Sequence, residues 1–334
     1  MDKTSPDWEK RIGRRLKLRD LHILSTVVQW GSMAKAASHL VMSQPAVSES
    51  VANLEAALRV RLLDRSTRGV EPTRYAHVLL QRGHVVFDEL SQAIKEIEHM
   101  ADPTAGELRV ASGEMLDAGL LPAAIERLTR RRPQIVVDVV RAGSPATLEF
   151  RELRERTVDL VLSRIPRGFA ADDLHLEVLF HDPNRVVVGA RSPLAKRRKL
   201  KLADLMQEPW IFPATQVTRS LIAEAFEGQG LEVPREKVSA GSILLRNRLL
   251  ASGRFVTVLP DSVLRYNARQ WSLKVLPVDL GVTPRSVAIV TLKNRTVSPV
   301  VAQFLDDVRA VAKAMSAPSP LPSPRARKTT QPSN

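Results

Sequence analysis

Residues 31–51 read GSMAKAASHLVMSQPAVSESV, and the fold of the N-terminal region follows from them. Ser32 stands where a helix begins, because its hydroxyl can accept from the orphan backbone amides of a first turn. Ala36, Ala37 and Leu40 then form a small apolar stripe that lets another helix approach closely. Ser43 is a second capping residue, and the following Pro45 is tolerated in a first helical turn. Val47, Val51, Leu54 and Leu58 recur at i, i+4, i+7 and i+11 and define one buried face. Gln44, Pro45, Ser48, Glu49 and Ala52 fall on the opposite side. Two short helices, a brief turn and a polar outer face on the second make a helix-turn-helix. Its second helix would place its first turn in the major groove, where Gln44 suits adenine and Ser43 and Ser48 suit bases or phosphates.

Working outward, the run from Gly31 to Thr73 closely resembles the DNA-binding domain of LysR-type transcriptional regulators. The matching stretch is GSMAKAASHL-VM-SQPAVSESVANLEAAL-RVRLLDRSTRGVEPT. The resemblance implies a winged helix-turn-helix over 1–74, with Arg61 to Thr73 as the wing. Ser32, Lys35, Ser43, Gln44, Pro45, Ser48, Glu49, Arg65, Arg68 and Thr73 are then the DNA-binding residues, Arg65, Arg68 and Thr73 lying near phosphates or the minor groove. Four positions depart from the family pattern. Glu49 replaces a common basic residue, Arg59 a usual helix-ending glycine, Leu63 a usual phenylalanine and Ala76 a usual glycine. A carboxylate at 49 leaves the base preference open, since it could select cytosine or repel phosphate.

Residues 75–101 form one long helical pattern, ended by the Pro103 and Gly106 of ADPTAG. Leu79, Val86, Ala93 and Met100 are spaced by seven, with Ala76, Gly83, Leu90 and Ile97 at the alternate offset. Such an a/d pattern favours pairing with a second helix. Leu79, Val86, Leu90, Ala93 and Ile97 are the expected dimerisation contacts, and the family resemblance implies a linker helix here and a dimer or tetramer.

Beyond residue 107, short β-branched runs alternate with helical ones, which argues for α/β architecture with parallel strands. The strands are expected at 108–111, 135–140, 159–162, 185–188, 255–259 and 287–291. Helices are expected at 118–131, 146–156, 218–227, 242–251 and 299–315. ELRVASGEM followed by LLPAAIERL (residues 107–115 and 120–128) looks like the family's effector domain. That implies a two-lobed fold over 107–315, similar to type 2 periplasmic binding proteins. Lobe one takes about 107–170 and 284–315 and lobe two about 180–280, with crossings near 166–181 and 278–285. An effector would lie between the lobes at strand ends and helix N-termini, which attract anions. Ser112, Glu114, Ser144, Arg164, Thr215 and Thr218 are the effector-binding candidates, Arg164 being the partner for an anionic ligand. The whole is therefore expected to be an α+β multidomain chain.

Composition agrees with this reading. A net charge of +14 favours polyanionic partners such as DNA, and the absence of cysteine excludes disulfides and thiolate chemistry. The dense basic run 196–199 reads as a solvated loop, and the Pro-, Ser- and Arg-rich stretch 316–334 as a disordered tail. No apolar stretch is long enough for a membrane helix, and residues 1–17 show no secretory signal, so a cytoplasmic, nucleoid-associated protein is expected. Seven scattered histidines show no metal spacing, and no nucleophile elbow or P-loop occurs, so neither catalysis, metal nor cofactor is expected. The expected partners are double-stranded DNA, a small-molecule effector, other copies of the chain, and RNA polymerase should the protein activate. Two other readings stay open at this point: a non-specific architectural DNA-binding protein, and an α/β enzyme with an accessory dimerisation domain.

Overall fold

The computed structural model describes residues 16–66, 69–142, 149–214 and 216–316, without the side chains of 216–218. It divides into two compact units, residues 1–91 and 92–334.

In the first unit, α1 (Leu18–Trp30), α2 (Met33–His39) and α3 (Gln44–Leu58) precede a two-stranded ribbon, β1 (Leu63–Ser66) and β2 (Gly69–Pro72). The helix α4 (Arg74–Ala101) follows, its residues 74–91 in the first unit and 92–101 in the second. Leu24, Val27, Ala36, Val47, Val51, Leu54 and Leu62 are wholly buried where the three short helices meet. The small Ala36 and Ala37 permit that approach, as the sequence pattern anticipated. Gly31 ends α1 in the left-handed region at φ 61°, and its carbonyl accepts from the Val70 amide at 3.1 Å. A Cβ on Gly69 would lie 2.7 Å from that same carbonyl oxygen, so only glycine lets the ribbon lie there.

In the second unit two five-stranded sheets form two lobes. The first has the order β4-β3-β5-β12-β6, with β3 (Ala105–Ser112), β4 (Gln134–Arg141), β5 (Leu160–Ile165), β6 (Leu174–Asp182) and β12 (Arg285–Leu292). The second has the order β11-β7-β10-β8-β9, with β7 (Asn184–Gly189), β8 (Trp210–Pro213), β9 (Glu236–Ala240), β10 (Val256–Pro260) and β11 (Leu273–Val275). The helices are α5 (Glu114–Asp117), α6 (Leu120–Arg131), α7 (Arg151–Arg154), α8 (Gln216–Glu227), α9 (Ile243–Ala251), α10 (Asp261–Asn267) and α11 (Pro299–Met315). Apolar clusters lie on both faces of each sheet, around Leu108, Leu128 and Phe304 and around Ala111, Leu153 and Val161 in the first.

Three expectations are corrected here. The sheets are mixed rather than parallel: β12 runs antiparallel to β5 and β6, and β7 antiparallel to β10 and β11. Those antiparallel strands follow the crossings, where the chain changes lobe without an intervening helix. The first crossing is not at 166–181 but at Pro183, because 174–182 form β6, an edge strand of lobe one. Its charged and His-interrupted sequence, LHLEVLFHD, hid the strand. The helix expected at 146–156 is a single turn, Arg151–Arg154, preceded by Phe150 at φ 45° and ended at Glu155; 143–148 lie outside the described residues, as does the tail from 317. Residues 196–199 are exposed, Lys196 closing a short 3₁₀ turn from Pro193.

Candidate DNA interface and interlobe cleft

The recognition surface is built by caps. The Ser32 hydroxyl accepts from the Lys35 amide at 3.4 Å, and the Ser43 hydroxyl from the Ala46 amide at 3.3 Å. The two helices thus start where the sequence places them, with the turn 40–42 between. Ser43, Gln44, Pro45 and Glu49 are exposed and Ser48 half-buried, while Val47, Val51 and Leu54 show no exposed surface. Lys35 is exposed as well. The ribbon is pinned to α3: Glu55 Oε1 accepts from the amides of Leu62 and Leu63 at 2.7 and 3.2 Å. The exposed Arg65 then reaches back, its guanidinium donating to the Ser48 hydroxyl at 3.5 Å. Helix and ribbon therefore present one continuous polar surface.

Thr73 fits this surface less well than its sequence position suggests. Its hydroxyl donates to the Arg61 carbonyl at 2.8 Å and accepts from the Ala76 amide, capping α4. Arg68 lies outside the described residues.

Along α4, the apolar positions split into two faces. Ala76, Leu79, Leu80 and Phe87 pack into the core of the helix-turn-helix, and Gly83 sits against Leu21. Leu79, half-buried, packs against that core on the same side as 76, 80, 83 and 87, so in the single chain it is less open than the other expected dimerisation contacts. Val86, Leu90, Ala93, Ile94, Ile97 and Met100 remain exposed, Ile97 at 65% and Met100 at 82%. They recur at i, i+4, i+7, i+8, i+11 and i+14, one continuous stripe.

In the second unit, the structure gives the effector candidates different environments. Ser112 ends β3 with no exposed surface; its hydroxyl donates to the Gly113 carbonyl at 3.4 Å. Glu114, on lobe one, crosses to lobe two: its Oε1 accepts from the Ile243 amide, the first of α9, at 2.7 Å. Arg164 is held in an ion pair. Its Nε stands 3.0 Å from Asp182 Oδ2 and its Nη2 donates to the Asp182 carbonyl at 2.9 Å. Asp182 is itself 1% exposed. Burial draws the Arg164 pKa below its ordinary value, while Asp182 opposes the shift. The guanidinium is thus paired at the crossing, with its side chain 13% exposed. Ser144 and Thr215 are outside the described residues, as is the side chain of Thr218.

Two groups at the lobe boundary escaped sequence reasoning. Arg246 on α9 is 3% exposed, its Nε has no hydrogen-bond partner, and its Nη2 approaches Met115 Sδ at 3.6 Å. Asp117 on α5 has a buried Oδ1 without a partner, and its pKa is raised, chiefly by burial and further by Glu114. An arginine inside a leucine-rich helix looks like solvated charge; its burial beside Met115 is tertiary information.

Comparisons with known proteins bear on both units. Residues 18–77 match the family described as bacterial regulatory helix-turn-helix protein, lysR family, and residues 101–313 match the LysR substrate binding domain. The regulator GbpR of Azospirillum brasilense is 26% identical over 313 residues, covering 92% of this chain and 91% of its own. The dual regulator GltC of Bacillus subtilis is 27% identical, over 88% of this chain and 96% of its own. Among solved structures, a full-length OxyR variant from Pseudomonas aeruginosa superposes with a TM-score of 0.63 at 22% identity, covering 89% and 96%. Full-length CbnR complexed with its target DNA superposes with a TM-score of 0.50 at 23% identity, covering 89% and 99%. With a capped helix-turn-helix, a ribbon beside it and a two-lobed α/β domain all matched along their length, the chain belongs to the LysR family of DNA-binding transcriptional regulators with an effector-binding domain.

Proposed function

We propose that this regulator reads promoter half-sites through the first turn of α3 and the ribbon, as a homo-oligomer joined along α4, and that a small molecule held between the lobes sets its DNA occupancy. The observation that carries this is the first turn of α3. Ser43, Gln44, Pro45 and Glu49 stand exposed at the end of a helix whose opposite face is wholly buried. An exposed polar first turn beside an arginine-bearing ribbon is the geometry that admits a helix to the major groove. Gln44 is the base-reading residue, Ser43 and Ser48 serve bases or phosphates, and Lys35 and Arg65 hold the backbone. Ser32 and Thr73 act by setting helix starts.

The exposed stripe from Val86 to Met100 supports pairing of α4 with its copy, which would double the half-sites read. A second apolar surface supports larger assembly: the edge strand β4 exposes Val136, Val139 and Val140, an edge that asks to be covered. Regulation rather than catalysis is the activity inferred, carried out at the nucleoid in the cytoplasm, with RNA polymerase a further partner where the protein activates.

Footprinting upstream of its own gene tests the proposal. Paired, roughly palindromic protected sites are expected, lost in Gln44→Ala while folding is retained. Protection indifferent to sequence would overturn it in favour of a charge-driven architectural protein.

A further inference from the structure

We infer that the N-terminus of α9 together with Arg246 is a carboxylate subsite on lobe two, which Glu114 of lobe one occupies here as a built-in substitute for the effector. The inference rests on the reading that the two-lobed domain binds its effector between the lobes. A nine-residue helix begins at Ile243, and its first amide donates to Glu114 Oε1 at 2.7 Å. Ser242 caps the same turn, accepting from Leu245 at 3.3 Å. Helix starts favour anions because their leading amides lack helical partners and the dipole is positive there. That alone would be ordinary capping.

Arg246 makes it more than capping. It lies in the first turn of the same helix, 3% exposed, and among the described residues no carboxylate comes within 4 Å of its guanidinium. Its Nε is buried with no acceptor, and its recorded polar contact is a thioether sulfur, a weak acceptor. A buried guanidinium without a paired anion is costly, and burial lowers its pKa, with the Glu114 charge the force opposing the shift. Glu114 is therefore close enough to be felt by Arg246, yet its carboxylate is turned onto the Ile243 amide instead. A free carboxylate, with no backbone tether, can take both the amide and the guanidinium fork. Asp117 faces the same region, raised by burial and by Glu114, with Ser112 and Arg141 lowering it. Displacing Glu114 removes one of the two like charges there.

The effector class is thus a small molecule carrying a carboxylate, and its binding swaps a lobe-to-lobe tether for a ligand contact. Such a swap alters how firmly lobe one holds lobe two, which is how binding could reach the DNA-binding unit.

The test uses the full chain, acetate as probe, acetamide as uncharged control, and sodium chloride to hold ionic strength constant. Acetate affinity is read from the shift in thermal unfolding midpoint. Glu114→Ala, which vacates the subsite, is expected to bind acetate at least tenfold more tightly than the native chain, with acetamide inert. Adding Arg246→Gln should abolish that gain; should this variant fail to fold, Arg246→Lys, with one charge point in place of a fork, should weaken acetate severalfold. Equal acetate affinity with and without Glu114, or equal response to acetamide, overturns the subsite. A separate arm measures affinity for the promoter site. If Glu114→Ala binds acetate as stated but DNA affinity never responds to any ligand, the effector reading fails and the subsite stands. If an uncharged ligand shifts DNA affinity while Glu114→Ala changes nothing, the subsite fails and the effector reading stands.

Discussion

Asp182 and Ser262 are joined twice: the Ser262 amide donates to Oδ1 at 2.9 Å and its hydroxyl to Oδ2 at 2.8 Å. Asp182 is the last residue of β6 in lobe one and Ser262 lies in the first turn of α10 in lobe two, so the bonds clasp the crossing at Pro183. Arg164 completes the clasp at 3.0 Å from Asp182 Oδ2.

Removing the carboxylate leaves the Arg164 guanidinium buried with no counter-ion. Asp182→Ala is therefore expected to destabilise the second unit by about 3–5 kcal/mol, read from urea unfolding. Arg164→Met in the same background should recover much of that loss, because it removes the stranded charge. A double variant no more stable than Asp182→Ala alone would show that Ser262, not Arg164, is the partner that matters.

This clasp also marks where sequence reading stopped. Helix positions in the first unit were legible because local chemistry decides them: serines at 32 and 43 cap, and valines at 47 and 51 repeat with the helical period. The strands with β-branched runs, such as 135–140 and 287–291, were legible for the same reason. β6, β8, β9 and β11 were not. They are short, edge-placed or mixed in polarity, and their pairing partners lie far along the chain. The environment of Arg164 depended on such a partner, β6, so its sequence neighbours could not reveal Asp182. Ser112 and Glu114 were found as strand-end residues, but the direction of Glu114 toward Ile243 is tertiary information.

The turn between α2 and α3 carries strain. Val41 adopts φ 54° while 93% exposed, a left-handed conformation that a β-branched side chain tolerates poorly and that no packing repays. Val41→Gly should stabilise the first unit by about 0.5–1 kcal/mol, the relieved strain being partly offset by glycine's freedom in the unfolded chain. Arg59, at φ 57° and ending α3, should respond to Arg59→Gly in the same direction. A fall in the thermal midpoint of either variant would show that the native side chain makes compensating contacts.

Glu49 sets an expectation about salt. It is an exposed carboxylate on the face proposed to meet DNA, beside Gln44 and Ser48. Glu49→Gln should raise affinity for random duplex severalfold at low salt, as repulsion from phosphates is removed. Gln44→Ala should instead lose about 1–3 kcal/mol of discrimination at one base pair and leave random-duplex affinity nearly unchanged. Competition binding against a single-substituted operator series separates the two. Equal effects of both variants on all sequences would place this face away from the bases.

The stripe on α4 allows oligomerisation to be separated from folding. Leu90 and Ile97 are 44% and 65% exposed in the single chain, so neither contributes much to its own unit's core. Burying such a side chain is worth about 1.5–3 kcal/mol, and in a two-fold interface each substitution acts twice. Leu90→Asp with Ile97→Asp should therefore yield a folded monomer by sedimentation, with urea stability of the isolated chain changed by no more than about 0.5 kcal/mol. Leu79→Asp should do the opposite, weakening the helix-turn-helix because Leu79 packs with Ala76 and Leu80 in its core. A dimer that survives the double substitution would mean that the contact lies elsewhere, with the β4 valines the next surface to alter.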